Sequence, residues 1–351
     1  MNSSGYLTPE LIVFGTHLSE KHGYTLSQIE KEGFKASFCI EDTVPDNDTP
    51  QSISICIGNV VKRFADFWNC EKFDIVFALG DRFEMFAACI AGVPFGLRIA
   101  HIHGGEKTEG AIDDALRHSI THMSKFHFTA TELYKERVVR LKESDQNVFN
   151  VGALSMDNLS TLSLYTIEEM YAKFGIDLTI PTILVTFHPE TSSFNKNKEY
   201  IDIILNTLEK LNDFQIVITM PNSDTMGNMI RSHIENFSNK LRHPKLVLIE
   251  SFGTLGYYSC MKYCKLMLGN TSSGFGEASY FPKPVINLGR RQEGRILTPN
   301  IFQTEIKEQD ILNSIHKAVN YKPENSNVAV YGSGGAAKKI IEILTHFRNG
   351  L

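Results

Sequence analysis

The run AHIHGGEKTEGAIDDALRH, residues 100–118, changes character twice within nineteen positions. It opens as the end of an apolar strand (97–102). It passes through a glycine pair into a charged loop, and closes in the first turns of an amphipathic helix (113–124). A buried strand feeding a polar loop and then a helix is one unit of a parallel α/β sheet. Outward from this run the same alternation repeats. Further strands are predicted at 11–14, 74–79, 126–130, 147–151, 182–187, 215–219, 245–249, 265–268 and 284–288. Helices are predicted at 53–68, 83–91, 196–211, 226–237 and 274–280. Polar and small residues gather over 152–165, after the strand ending at Val151. That pause marks a boundary between an N-terminal domain, 1–152, and a C-terminal domain, 153–334, with a last helix in 335–351 crossing back to the first. The expected fold is α/β: two doubly wound, Rossmann-like domains facing a cleft, as in GT-B architectures. In such sheets ligands bind beyond the carboxyl ends of the strands.

The 351 residues exceed the usual size of one domain. A formal net charge of −5 argues against a general nucleic-acid or membrane-surface binder, while leaving room for a local anion pocket. No apolar run reaches membrane-spanning length, and MNSSGYLTPE lacks the basic and apolar regions of a signal peptide. Cys39, Cys56, Cys70, Cys89, Cys260 and Cys264 lie in apolar stretches and read as reduced core residues of a cytoplasmic protein. No second Cys or His pair accompanies Cys260 and Cys264. No glutamate sits between His118 and His122 in the HExxH manner. No metal is therefore expected.

Four segments carry candidate chemistry. In ALGDRFEM a strand ends at Leu79, Gly80 turns the chain, and Asp81 and Arg82 open a helix. Asp81 suits either a helix cap or a carboxylate at a strand tip, with Arg82 beside it for phosphate. In residues 100–118, His101 and His103 are expected on one face, Gly104 and Gly105 permit close backbone approach, and Glu106, Asp113 and Asp114 supply acids. In VTFHPET a strand delivers His188 to its tip, either as a surface-loop residue or as a cation for a diphosphate. In LGNTSSGFGEASYFPKPVINLGRRQEGR a strand runs into Thr271 and Ser272 before a helix, a pattern that suits an anion. Glu277 is placed for ribose hydroxyls, and Arg291 follows the next strand.

Taken in order, GDRFEM, HIHGGE, GAIDDALRHSITH, FHPET, MPNSDT, GNTSSGFGE and PVINLGRRQEGR resemble the UDP-N-acetylglucosamine 2-epimerase family, in its hydrolysing branch of sialic-acid-type biosynthesis. The resemblance covers about residues 11–344. It implies a cofactor-free reaction. The proton on carbon 2 of UDP-N-acetylglucosamine is removed and UDP eliminated to leave 2-acetamidoglucal, and water then adds to release N-acetylmannosamine. By family position Asp81 and Asp113 or Asp114 move protons. Arg82, His188, Asn222, Thr271, Ser272, Glu277 and Arg291 surround UDP, with Phe252 as a face for the uracil. The resemblance also implies a homodimer or homotetramer.

Two departures stand out. His103 occupies a position where many members carry a catalytic glutamate, and Glu106 is the nearest acid; either His103 takes over a proton-handling role, the reading preferred, or that work rests on Asp81, Asp113 and Asp114. The family also opens with a strand, a GTRADYG-like turn and a helix, whereas PELIVFGTHL reads as the second strand. A first strand–helix unit of roughly 25–30 residues is thus expected to be missing from the first domain. The rival substrate is UDP-2,4-diacetamido-2,4,6-trideoxyglucose, the legionaminic-acid route. The rival functions are a GT-B glycosyltransferase and a non-catalytic UDP-sugar binder.

Overall fold

The computed structural model describes residues 7–190, 194–221, 226–240, 245–322 and 330–347. The chain divides into two compact units. Unit 1 comprises Met1–Glu106, Asp113–Leu154 and Gly335–Leu351; unit 2 comprises Lys107–Ile112 and Ser155–Gly334. The run that opened the sequence reading is therefore shared: its ends fold in unit 1 and its charged middle in unit 2.

In unit 1, β1 (Ile12–Phe14) pairs in parallel with β2 (Phe38–Ile40). A separate parallel sheet runs in the order β3 (Val76–Leu79), β4 (Ile99–Ile102), β5 (Phe126–Thr129), β6 (Val148–Asn150). The helix Pro50–Cys70 starts cleanly because Thr49 Oγ1 accepts the Ser52 N–H and proline occupies the first turn. Its buried stripe of Ile53, Cys56, Val60, Phe64 and Trp68 recurs every three or four residues. That stripe packs with Phe83, Ala87 and Ala88 of the helix Phe83–Gly92, and with Ile12, Phe14 and Ile40. On the other face, Ala336, Ile340 and Leu344 of the helix Ala336–His346 cover Phe126 and Phe128. Covered on both sides, β4 and β5 are buried at every position. β3 and β1 each keep one edge without a strand partner among the described residues. Accordingly β3 is only partly buried, and Leu79 is 54% exposed.

In unit 2 six parallel strands stand in the order β12-β11-β10-β7-β8-β9. They are β7 (Thr182–Thr186), β8 (Gln215–Thr219), β9 (Leu246–Ile249), β10 (Leu266–Gly269), β11 (Val285–Leu288) and β12 (Ile301–Thr304). The chain builds outward from β7 through β8 to β9, then returns to β10 on the other side of β7 and builds outward again. The reversal lies between β7 and β10, and in doubly wound sheets that crevice, at the carboxyl ends, is where ligands sit. Gly269 is required there. Its φ is +146°, and a Cβ would overlap the Thr186 carbonyl.

Several local expectations shift. β2 and β12 lie where no strand pattern was legible. The expected helix at 274–280 contracts to a 3-10 turn, Ser272–Gly274, and a single helical turn, Glu277–Tyr280, because glycines at 274 and 276 favour neither. A full helix dipole is thus absent from that anion candidate, and its N–H and hydroxyl groups must act directly. Cys39 and Cys70 are exposed, not core residues. Among the described residues no helix is long and apolar enough to cross a membrane.

Candidate active site

In unit 1 a group of candidate residues is built at the ends of β3 and β4. Beyond Ile102 the backbone of His103 turns left-handed, with φ +67°, a conformation few non-glycine residues hold without an offsetting contact. This takes His103 out of the regular strand backbone that His101 still follows. Gly105 follows with φ +80°, pressed so closely on the Tyr134 carbonyl that a Cβ would overlap it. The tight turn folds Glu106 back under His103, and His103 Nδ1 lies 2.7 Å from Glu106 Oε1. The Glu106 side chain is 8% exposed, so the imidazole is held by a nearly dry carboxylate.

The second organiser is Arg117, one turn into the helix Asp113–Met123 and 3% exposed. Its guanidinium is ion-paired to Asp81. It lies 3.8 Å from Asp114 Oδ1 and donates to the Glu106 carbonyl at 3.0 Å. His118 Nε2 adds a contact of 3.4 Å to the other Asp114 oxygen. The structure thereby joins Asp81, Glu106, Asp114 and His103 in one network, with Asp113 partly buried beside Asp114. In the sequence Arg117 stands out only as one ionisable group of residues 100–118, one turn after Asp113 and Asp114; its role as the organiser comes from the structure. Asp81 does not cap the following helix: the N-cap is Arg82, with no side-chain cap bond. Arg82 is committed locally, donating to Glu84 at 3.2 and 3.1 Å and lying over the Phe83 ring.

Behind this network lie two histidines with a different task. His101 is fully buried between the Gly80 carbonyl (2.8 Å) and Thr121 Oγ1 (3.0 Å), and burial pushes it down to about 4. His127, on the neighbouring strand, has no hydrogen-bond partner for either ring nitrogen among the described residues, and burial takes it to about 3. Both fall from an ordinary value of 6.5, so the folded state binds fewer protons than the unfolded chain. Stability is therefore full above pH 6.5 and drains as the pH falls through the window down to about 4 for one and about 3 for the other. The slope is about 1.4 kcal/mol per pH unit for each histidine. Urea unfolding at pH 7 and pH 5 is expected to show this loss. His127→Leu is expected to cut it by about half; an unchanged pH slope in that variant would show that His127 is not held neutral.

In unit 2 a separate group of candidate residues is built at the β7–β10 crevice. Asn270, fully buried just past β10, accepts the His188 N–H at 2.7 Å and donates to the His188 carbonyl at 2.8 Å. Its own carbonyl accepts from Gln292 Nε2 at 2.8 Å and Arg291 Nη1 at 3.4 Å. One asparagine thus fixes the strand-tip histidine and the loop after β11 together. Tyr257 Oη lies 2.6 Å from Ser273 Oγ, which lies 3.2 Å from Thr271 Oγ1, so the hydroxyl loop is braced from beneath. Burial pushes the Tyr257 phenol up to about 12, keeping it neutral.

His188 and Arg291 are buried, Thr271 and Glu277 partly so, and Ser272 is exposed. Phe252 is 7% exposed and packs edge-on against Phe174 at 5.0 Å. Asn222 lies outside the described residues. The segment Lys107–Ile112 docks onto the same loop. Gly110 lies so near the Arg290–Arg291 backbone that no Cβ fits, and Glu109 donates its N–H to the Glu293 carbonyl at 3.2 Å. Among the described residues no group of three or more side chains could hold a metal ion.

The model of the family described as UDP-N-acetylglucosamine 2-epimerase matches residues 1–345. A GDP/UDP-N,N'-diacetylbacillosamine 2-epimerase (hydrolyzing) of Campylobacter jejuni is 35% identical over 306 residues, 87% of this chain and 78% of the relative. A UDP-N,N'-diacetylbacillosamine 2-epimerase (hydrolyzing) of Legionella pneumophila is 30% identical over 334 residues, 95% of this chain and 87% of the relative. Among solved structures, the UDP-GlcNAc 2-epimerase of Neisseria meningitidis bound to UDP-GlcNAc superposes with a TM-score of 0.77 at 22% identity, covering 96% of this chain and 99% of that one. The fold is thus that of solved 2-epimerases, and by the family match the chain belongs to the UDP-N-acetylglucosamine 2-epimerase family.

Proposed function

We propose that the chain is a hydrolysing 2-epimerase of UDP-2,4-diacetamido-2,4,6-trideoxyglucose, the sugar nucleotide also called UDP-N,N'-diacetylbacillosamine. The observation that carries the substrate is the pair of relatives at 35% and 30% identity, both named for that sugar, matched over 87% and 95% of this chain. They favour it over UDP-N-acetylglucosamine, the substrate first expected from the motifs.

The chemistry divides between the units. In unit 1, the His103–Glu106 pair takes the proton from carbon 2 while the bond from carbon 1 to the diphosphate oxygen breaks. The bonding pair leaves with UDP, and a glycal remains. A weakly acidic carbon-bound proton needs a base fixed in place, and a carboxylate-held imidazole is such a base. Water then adds, its hydroxyl to carbon 1, while its proton is relayed through the group of Asp81, Asp113 and Asp114 to carbon 2 on the opposite face, and the proton first taken by the His103–Glu106 pair goes to solvent. In unit 2, His188, Thr271, Ser272 and Arg291 take up the charge that gathers on the departing diphosphate. Glu277 accepts from ribose hydroxyls.

The experiment is an assay of both sugar nucleotides without any acceptor, run in deuterated water. The expected products from the diacetamido substrate are UDP and a free 2-epimer carrying deuterium at carbon 2, with kcat/KM at least about 10-fold above that for UDP-N-acetylglucosamine. Preference for UDP-N-acetylglucosamine would overturn the substrate. Turnover only with an added acceptor would make the chain a glycosyltransferase, and binding without turnover a UDP-sugar receptor.

A further inference from the structure

We infer that Glu190 is the positioning residue of the phosphate-binding arginine turn, setting Arg291 through the backbone without itself meeting the substrate. The inference rests on the assignment of Arg291 to UDP. Glu190 follows His188 by two residues and is 1% exposed. Its Oε1 accepts the N–H of Arg290 at 2.6 Å and of Arg291 at 3.2 Å. Two successive backbone N–H groups around one anion form a nest, a geometry usually offered to a ligand. Here the protein fills it with its own carboxylate.

The surroundings are built for that carboxylate. Gly289, at φ +67°, leads into the nest, and a Cβ there would overlap Glu190 Oε1. The backbone of Glu190 is clamped by Asn197, itself fully buried, whose Oδ1 accepts the Glu190 N–H at 2.8 Å and whose Nδ2 donates to the Glu190 carbonyl at 3.0 Å. A nearly dry carboxylate is an expensive anchor for a turn that only had to be closed. Burial also pushes its carboxyl above the ordinary range, opposed by the two N–H groups. Two consequences follow. The nest is occupied, so the diphosphate meets this turn through the Arg291 guanidinium and not through the main chain. And His188 and Arg291, about a hundred residues apart in sequence, are referred to one buried point.

The test compares UDP affinity by calorimetry, steady-state kinetics and thermal unfolding in Glu190→Ala, Glu190→Gln, Arg291→Ala and the Glu190→Ala/Arg291→Ala double variant. Glu190→Ala is expected to raise KM and the UDP Kd about 10-fold or more, with a smaller change in kcat. Glu190→Gln keeps an acceptor oxygen and is expected to recover most of that affinity. The double variant is expected to bind UDP no more weakly than Arg291→Ala alone, because both changes remove one function. Should Glu190→Ala fail to fold, Glu190→Asp carries the comparison, since the shorter side chain cannot reach both N–H groups. An unchanged UDP affinity in Arg291→Ala overturns the UDP assignment and the inference with it. Weakened binding in Arg291→Ala beside unchanged binding in Glu190→Ala, or multiplied losses in the double variant, overturns the inference alone.

Discussion

Arg117→Met is expected to abolish measurable turnover and to lower the unfolding free energy of the protein by about 3 kcal/mol. The guanidinium is 3% exposed and binds groups from three places in the chain: the Asp81 side chain, the Asp114 side chain and the Glu106 carbonyl. Its removal does not simply delete an attraction. It leaves the carboxylates of Asp81 and Asp114, each 22% exposed, close together with no cation between them, and it strands a carbonyl whose partner was buried. Uncompensated charge of this kind costs far more than the pair it replaces was worth. Methionine fills the volume, so cavity formation contributes little. Arg117→Lys separates charge from geometry. It keeps the cation but not the planar fork that reaches three partners at once, and is expected to recover much of the stability and little of the activity. Chemical denaturation and product analysis read both quantities. A stability within about 0.5 kcal/mol of the parent in Arg117→Met would mean the network contributes nothing.

The partners of Arg117 are not written in the sequence around it. The β-α alternation of unit 2 was legible because strands buried on both faces are continuous apolar runs, as in TILVT and QIVIT. HIHGGE was legible as a candidate site because so many ionisable groups in one loop are costly to place without a reason. The partners of those groups were not legible, since they are set by tertiary distance. Asp81 and Arg117 are 36 residues apart, and Asn270 and His188 are 82 apart. Asn270 stood inside GNTSSG, where the hydroxyls drew attention as anion ligands. Nothing local announces that its amide grips another strand's backbone. Phe252 is a similar case: an aromatic ahead of a helix suits a base-stacking face, and its edge-on packing against Phe174, 78 residues earlier, is again set by tertiary distance. FCI of β2 and IFQT of β12 stand among polar residues with no longer apolar run around them, so neither shows a strand pattern.

His103→Ala is expected to reduce kcat by about 10²–10⁴-fold while leaving UDP affinity close to that of the parent. The expectation rests on geometry peculiar to this loop. A non-glycine residue at φ +67° is held out of the preferred backbone regions, and what it gains there is the 2.7 Å contact between its Nδ1 and Glu106. An alanine would keep the backbone cost and lose that contact, but the residues proposed to hold UDP belong to unit 2, so binding of the nucleotide is expected to survive. Glu106→Gln would leave the imidazole in place without its carboxylate and is expected to slow turnover by a smaller factor. The two changes together are expected to cost no more than His103→Ala alone, because a base and the group that orients it act as one device. Substrate deuterated at carbon 2 supplies the decisive reading. When the base is crippled, proton removal becomes the slow step, and the isotope effect on kcat should rise in both single variants. A parent-like kcat in His103→Ala beside a dead Glu106→Gln would instead make Glu106 the base and the histidine its support. The loop would then serve to bury an acid, and the left-handed turn at His103 would exist to bring Glu106 to the sugar.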